Sequence, residues 1–498
     1  MTRALIGRCL SIGAGLALGS AGFAETPTLV QAVKSGDRAR AIELVSQKTD
    51  VRSQEPDGTT ALHWAVREDD LDLAGRLLDA GADPTAANRY GVTPLYLAAI
   101  NGNARIIARL LEAGADANEV GQEGETVLMT VARTGSVDAA KVLLEHGAEV
   151  DAREQWHGQT ALMWAAAQNH PEMVGALIAA GADFDAQSNI EEWERQRTAE
   201  PREKWLPPGG LTPLLFAARE GCTACVPILL DAGAEIDTTA PDGISAAVSA
   251  LINGHYDTAA ALIDAGIDPN LVDYTGRGAL YAAVDFNTMP SSNRPSPEVL
   301  GNEHTALDIE KMLVEHGADV NAQLERIAPY RAKLDRGNDT VLGQGTTPLM
   351  RAAKAGDIDS MKLLLEHGAD PMLTTSRGVN ALMLAAGLGT TEQDTTGRFK
   401  TQEQAIAAID LLLQQGLDID AVDSRGRTAL HGAALQGYDA VVQALAQRGA
   451  TLDVTDKNGF SPLDTALGLA GGWGFAGNVG VVQESTVALL KNLLGEPQ

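Results

Sequence analysis

Residues 91–114 read Gly-Val-Thr-Pro-Leu-Tyr-Leu-Ala-Ala-Ile-Asn-Gly-Asn-Ala-Arg-Ile-Ile-Ala-Arg-Leu-Leu-Glu-Ala-Gly. Thr93 is suited to accept backbone N–H bonds at a helix start, and Pro94 falls at the first helical position, where an N–H would go unused. Leu95, Ala98 and Ala99 lie on one helical face. Gly102 is placed to end that helix in a left-handed conformation. Ile106, Ile107, Leu110 and Leu111 form the apolar stripe of a second short helix, and Gly114 stops it. Residues 115–124 carry Asp, Asn and Gly, which suits a turn. Such a helix-turn-helix unit cannot bury its own apolar face. Stacking against copies of itself can, with Ala allowing close approach.

Copies are present. Glycines followed by Thr, Pro or Ala and then Leu fall at 58, 91, 124, 158, 210, 243, 276, 345, 378, 426 and 459, mostly 33 residues apart. A Leu-Leu pair three residues before Gly-Ala marks the second helix, as at Leu77-Leu78, Leu143-Leu144, Leu229-Leu230 and Leu364-Leu365. Thr-Pro-Leu at this period, with Leu-Leu-x-x-Gly-Ala behind it, resembles the ankyrin repeat. The resemblance covers residues 55–467 in eleven units; Thr or Ser stands at the cap in nine of them, with Gly278 and Asn380 as departures. Residues 25–54 read as an N-terminal capping repeat, and residues 468–498 as a Gly-rich loop and a final helix closing the array. The implied fold is all-α: one α-solenoid of about twelve stacked helix-turn-helix repeats with projecting turns, grown without separate cores.

The period breaks at four places. Gly276 to Gly317 spans 41 residues and Gly378 to Gly416 spans 38, where Gly91 to Gly114 spans 23. Residues 288–303 and 390–403 are therefore inserted between paired helices. Residues 187–209 and 323–344 enlarge the turns. In the ankyrin resemblance, turns and first-helix ends line the concave face that holds partners. The contact positions this implies are Tyr90, Val92, Ile100, Asn101, Glu123, Glu125, Arg133, Trp156, His157, Gln159, Arg219 and Glu220, joined by Trp193 and Trp205 from the enlarged turn. Trp beside mixed charge has the character of an interface anchor.

The chain has 38 Lys and Arg against 66 Asp and Glu, a formal net charge of −28. Nucleic acid and anionic membrane surfaces need clustered cations and are disfavoured as partners. A basic protein partner fits. Residues 1–24 read as a secretory leader: Arg3 and Arg8 open it, residues 10–23 are apolar, and Gly22-Phe23-Ala24 suits cleavage. No later stretch is long and apolar enough to insert in a membrane. The expected product is exported, periplasmic or secreted from a bacterium, and monomeric apart from its partner.

Catalytic motifs are sparse. Cys222-Thr223-Ala224-Cys225 stands at the start of a second helix. A local structural disulfide and a low-pKa redox pair are both compatible with that spacing. A second cysteine pair, which a tetrahedral zinc site would need, does not occur in the mature chain. The run at 472–477, Gly-Trp-Gly-Phe-Ala-Gly, imitates a dinucleotide fingerprint but follows a helical stretch rather than a strand. His146, His316 and His367 each precede a helix-ending glycine, a structural position. Trp64 and Trp164 share one repeat position and read as core. The expected function is a non-enzymatic protein-binding scaffold with no cofactor or metal. A redox accessory using Cys222 and Cys225, and a secreted effector of host proteins, are the alternatives.

Overall fold

A computed structural model describes residues 28–191, 208–288, 301–327, 341–390, 400–470 and 481–495. The leader, Trp193, Trp205, the middle of each of the four insertions and the 472–477 run lie outside the described residues. Among those described, regular structure is helical: twelve consecutive helix pairs and three isolated antiparallel bridges, Gln54–Thr60, Val120–Thr126 and Ile190–Gly209.

The chain divides into two compact units, Met1–Pro94 and Leu95–Gln498. The first holds the pairs Leu29–Lys34 with Arg38–Ser46 and Ala61–Arg67 with Leu71–Asp79. Thr28 and Thr60 each cap a first helix, and Gln31 and His63 close the box by accepting the cap residue's N–H. At Thr60 this goes further. His63 Nδ1 accepts from Thr60 N–H at 3.1 Å, and its Nε2 reaches the Val92 carbonyl at 3.0 Å. A carbonyl only accepts, so Nε2 carries the proton and the ring is neutral. Burial holds the His63 pKa below its ordinary value.

That arrangement makes the first unit acid-sensitive. Below pH 6.5 the unfolded chain protonates this imidazole while the native one resists, so stability present above 6.5 is lost as pH falls. His63→Gln retains the box, as Gln31 does with Thr28, and removes the titration. Denaturant midpoints at pH 7.5, 6.5 and 5.5 are expected to fall more for the parent chain than for His63→Gln. Identical pH dependence would refute the assignment.

In the second unit, first helices stack on first helices and second on second. Val127–Thr134, Ala161–Ala167, Pro213–Glu220 and Ala246–Ile252 pack in succession, as do Ala104–Glu112, Val137–Glu145, Pro171–Ala179 and Cys225–Ala232. Ala132, Ala165, Ala166, Ala217 and Ala218 are fully buried between first helices, and Leu110, Leu143, Leu177 and Leu229 between second ones. Each buried Leu stabilises the stack by roughly 2 kcal/mol. Thr212 caps Pro213–Glu220 by accepting from Leu215 N–H, and Gly221 ends that helix at φ 81°. The two departures from Thr or Ser separate here. Asn380 still caps, accepting from Met383 N–H at 3.0 Å, whereas Gly278 offers no side-chain cap. His146, His316 and His367 each donate Nδ1–H to the carbonyl four residues back, at 2.8 Å.

Side chains also sew the ends of neighbouring second helices. Asn118 donates to Gly147 O and accepts from Glu149 N–H; Asn270 does the same with Gly317 and Asp319, and Asn321 with Gly368 and Asp370.

Candidate interaction surface

The projecting turns are organised from behind. An Asp, Asn or Glu at the turn's entry folds its side chain onto the N–H groups that follow, which leaves the intervening residues facing out. In the first unit Asn88 Oδ1 accepts from Tyr90 and Val92 N–H. Tyr90 is 50% exposed, with the Arg89 guanidinium over its ring at 4.7 Å. Val92 is half-buried, its carbonyl taken by His63.

In the second unit the same device is made by Glu154. Its carboxylate accepts from Trp156 N–H at 2.7 Å, His157 N–H at 2.8 Å and Gln159 N–H at 3.0 Å. Glu154 is buried; Trp156 and His157 are exposed and Gln159 half-buried. Trp156 is 67% exposed, the highest value among the large apolar residues on the described surface. The next turn is bonded to this one: Asn189 N–H donates to His157 O at 2.6 Å. Ile190, exposed at 58%, therefore stands on the tip adjoining Trp156. Val120, on a preceding turn, is 56% exposed.

Behind the tips lie the ends of first helices. Ile100, Asn101 and Arg133 are exposed. The Arg133 guanidinium lies over the Trp164 ring at 5.8 Å, and that of Arg219 over Phe216 at 4.8 Å. Arg219 also pairs with Glu220 at 2.8 Å, so these two neutralise each other. A cation over an aromatic face contributes about 0.5–1 kcal/mol at exposed sites and holds the guanidinium in place.

One expected contact residue is corrected. Glu125 is buried, its Oε1 accepting from Tyr96 O–H at 2.7 Å and Oε2 from Glu123 N–H at 3.0 Å. It shapes the turn from inside and offers nothing to a partner; Glu123, two residues earlier, is exposed. Burial and this carboxylate together push the Tyr96 hydroxyl pKa up. The structure also adds residues that the sequence reading passes over. Val120, Val272 and Val422 are exposed four residues before a repeat glycine, at 56%, 44% and 52%. Their common register is the signal that could have found them.

Cys222 and Cys225 are joined by a disulfide with Cα atoms 5.3 Å apart. Both are fully buried, Cys225 as the first residue of Cys225–Ala232. A sulfur without solvent access is closed to in-line attack by another thiolate. Among the described residues no group of three or more His, Cys, Asp or Glu could hold a metal ion, and no helix is long and apolar enough to cross a membrane.

The model of the family described as ankyrin repeats (3 copies) matches residues 29–121, 101–188, 214–324, 324–393 and 401–471. Over 168 residues the chain is 33% identical to the palmitoyltransferase AKR1 of Lachancea kluyveri, a segment making up 33% of this chain and 21% of that protein. It is 30% identical over 255 residues to human ankyrin repeat and SOCS box protein 16, covering 51% of this chain and 47% of the relative. It thus spans less than half the length of these two relatives, both eukaryotic. Among solved structures, the human ASB11 ankyrin repeat domain is 24% identical with a TM-score of 0.39, covering 47% of this chain and 96% of that one.

Proposed function

Because the chain belongs to the ankyrin-repeat family, we propose that it is a non-enzymatic scaffold that binds a partner protein on the turn tips and first-helix ends of its second unit. The observation that carries this reading is Trp156: an aromatic side chain 67% exposed on a turn braced by three hydrogen bonds to a buried carboxylate. An anchor presented on rigid backbone loses little entropy on docking. The net charge of −28 favours a basic partner, with association steered by long-range attraction. The reading is supported by the family and by the buried state of Cys222 and Cys225, which disfavours a redox role. Export rests on residues 1–24 alone.

The test is capture from an extract of the source organism by the full chain and by Trp156→Ala. A buried aromatic anchor is worth about 2 kcal/mol or more, or roughly 30-fold in Kd. We expect the variant to keep its unfolding midpoint and lose at least that much affinity, and capture by the parent chain to weaken from 50 to 300 mM salt as screening sets in. A specific partner held equally well by Trp156→Ala would move the site elsewhere. No specific partner at any salt concentration would overturn the scaffold reading.

A further inference from the structure

Seven residues before each second-helix glycine the second unit keeps an apolar side chain: Ile107, Ala140, Val174, Val226, Met361 and Val442 are all buried. In the repeat ending at Gly317 that register holds Glu310. It is completely buried, and neither carboxyl oxygen has a hydrogen-bond partner. A buried carboxylate left unpaired is among the costliest groups a core can hold.

Its surroundings give it little compensation, none of it from a cation. Its helix, Ala306–Glu315, packs against Ala279–Asn287, Tyr256–Asp264 and Ile358–Glu366. From Tyr256–Asp264 comes the Tyr256 hydroxyl, buried and itself without a partner, while Asp257 is occupied by His304. From Ile358–Glu366 come Ser360, whose buried Oγ makes no hydrogen bond, and the cap residue Asp357; Asp359 and Lys362 are exposed. On Ala279–Asn287, Asp285 is paired with Arg351, and Asn287 donates to Asp357. The charge that acts on Glu310 is thus another carboxylate, Asp357. Desolvation outweighs the nearby Ser360 hydroxyl, which favours the ionised form, and with Asp357 adding to it raises the Glu310 pKa to about 8. The same repeat starts its first helix at Gly278, which supplies no side-chain cap.

We infer that helix Ala306–Glu315 is a proton-gated seam in the second unit, docked while Glu310 is neutral and opening locally, ahead of its neighbours, when that carboxyl ionises. The direction follows from linkage. Once open, the carboxyl is solvated and titrates near its ordinary 4.5; closed, it holds its proton to about 8. Between those values each opening event releases a proton, so the opening constant rises up to tenfold per pH unit, about three orders of magnitude in total, and levels off above pH 8. A stack in which each repeat contacts only its neighbours permits such an event without global unfolding.

The test is native-state hydrogen exchange on the full chain from pH 5 to 8.5, read as protection factors, which remove the intrinsic pH dependence of exchange. In the parent chain, protection of the Ala306–Glu315 amides is expected to fall by two to three orders of magnitude, while that of Val137–Glu145 stays level. Glu310→Gln, matching the parent chain at pH 5, should show no fall. Glu310→Met, which installs the residue found at position 361, should show no fall and exceed the parent at every pH above 6. Level protection in the parent chain, the same fall in Glu310→Gln, or a loss shared equally by the whole unit would each overturn the proposal.

Discussion

Replacing Asp273 by alanine is expected to destabilise the second unit by about 3–5 kcal/mol, the range for removing one partner of a buried ion pair. Asp273 and Arg277 are 3% and 1% exposed, and the guanidinium grips Oδ2 through Nη2 at 2.6 Å and Nε at 2.9 Å. Oδ1 accepts from Thr275 N–H, Thr275 O–H and Arg277 N–H. The alanine leaves one buried cation and three donors unsatisfied. The damage also reaches the adjoining turn, since Thr275 O accepts from Glu325 and Arg326 N–H. Arg277→Met strands only the carboxylate, which keeps its three donors on Oδ1, and should fall at the low end of the range. Asp423 and Arg427 repeat the geometry, Nη2 to Oδ2 at 2.7 Å, and serve as an internal comparison. Urea unfolding at constant m-value would measure both; a loss below about 1 kcal/mol for Asp273→Ala would show that water replaces the guanidinium without penalty.

Gly432 gives the second large effect, with a sign opposite to helix propensity. It sits inside Ala429–Gln436, where Ala in place of Gly normally gains about 1 kcal/mol. Here a Cβ would lie 2.6 Å from Leu388 N and 3.0 Å from Leu388 Cα. The neighbouring first helix, Ala381–Ala385, is only five residues long, and the backbone leaving it through Gly387, at φ 111°, crosses this face. Gly432→Ala is expected to cost about 1–3 kcal/mol as an overpacking defect. Gly432→Leu, which copies Leu97 and Leu384 at the same register, should cost more. A thermal midpoint for Gly432→Ala at or above that of the parent chain would mean that the Leu388 backbone yields freely.

The stacking was legible because it rests on local chemistry repeated many times. Thr-Pro-Leu and Gly act within one turn of backbone, so Thr212, Pro213 and Gly221 could be given their roles from order alone. The same locality explains His146, His316 and His367, whose partners are four residues away. Glu125 was not legible, because its orientation is decided by Tyr96, 29 positions earlier, and a carboxylate in a turn reads as solvated until that partner is seen. Glu310 is the converse. Its register was visible in the sequence, but a single acid among apolar positions draws notice only once its neighbours prove unable to pair with it. Trp156 stood out as a candidate contact; that Glu154, two residues before it, is the buried brace follows only from the hydrogen bonds. Ile190 was passed over because a single apolar residue in an enlarged turn carries no period, and Val120 because its register shows only when it is set beside Val272 and Val422.

The turn-to-turn bonds have a mechanical consequence. In the second unit Tyr274 N–H donates to Asp242 O, Ser424 N–H to Arg377 O and Lys457 N–H to Arg425 O, backbone bonds that join neighbouring turns beside the packed helix faces. Junctions joined only to their neighbours lie in series, so under tension each bears the whole load rather than a share of it. The stack therefore behaves as a chain of links whose weakest member sets its strength. A link that yields releases one repeat, about 110 Å of extended chain where the repeat is 33 residues long and more where it carries an insertion, while the links on either side stay folded and remain able to re-form the contact when the load is removed.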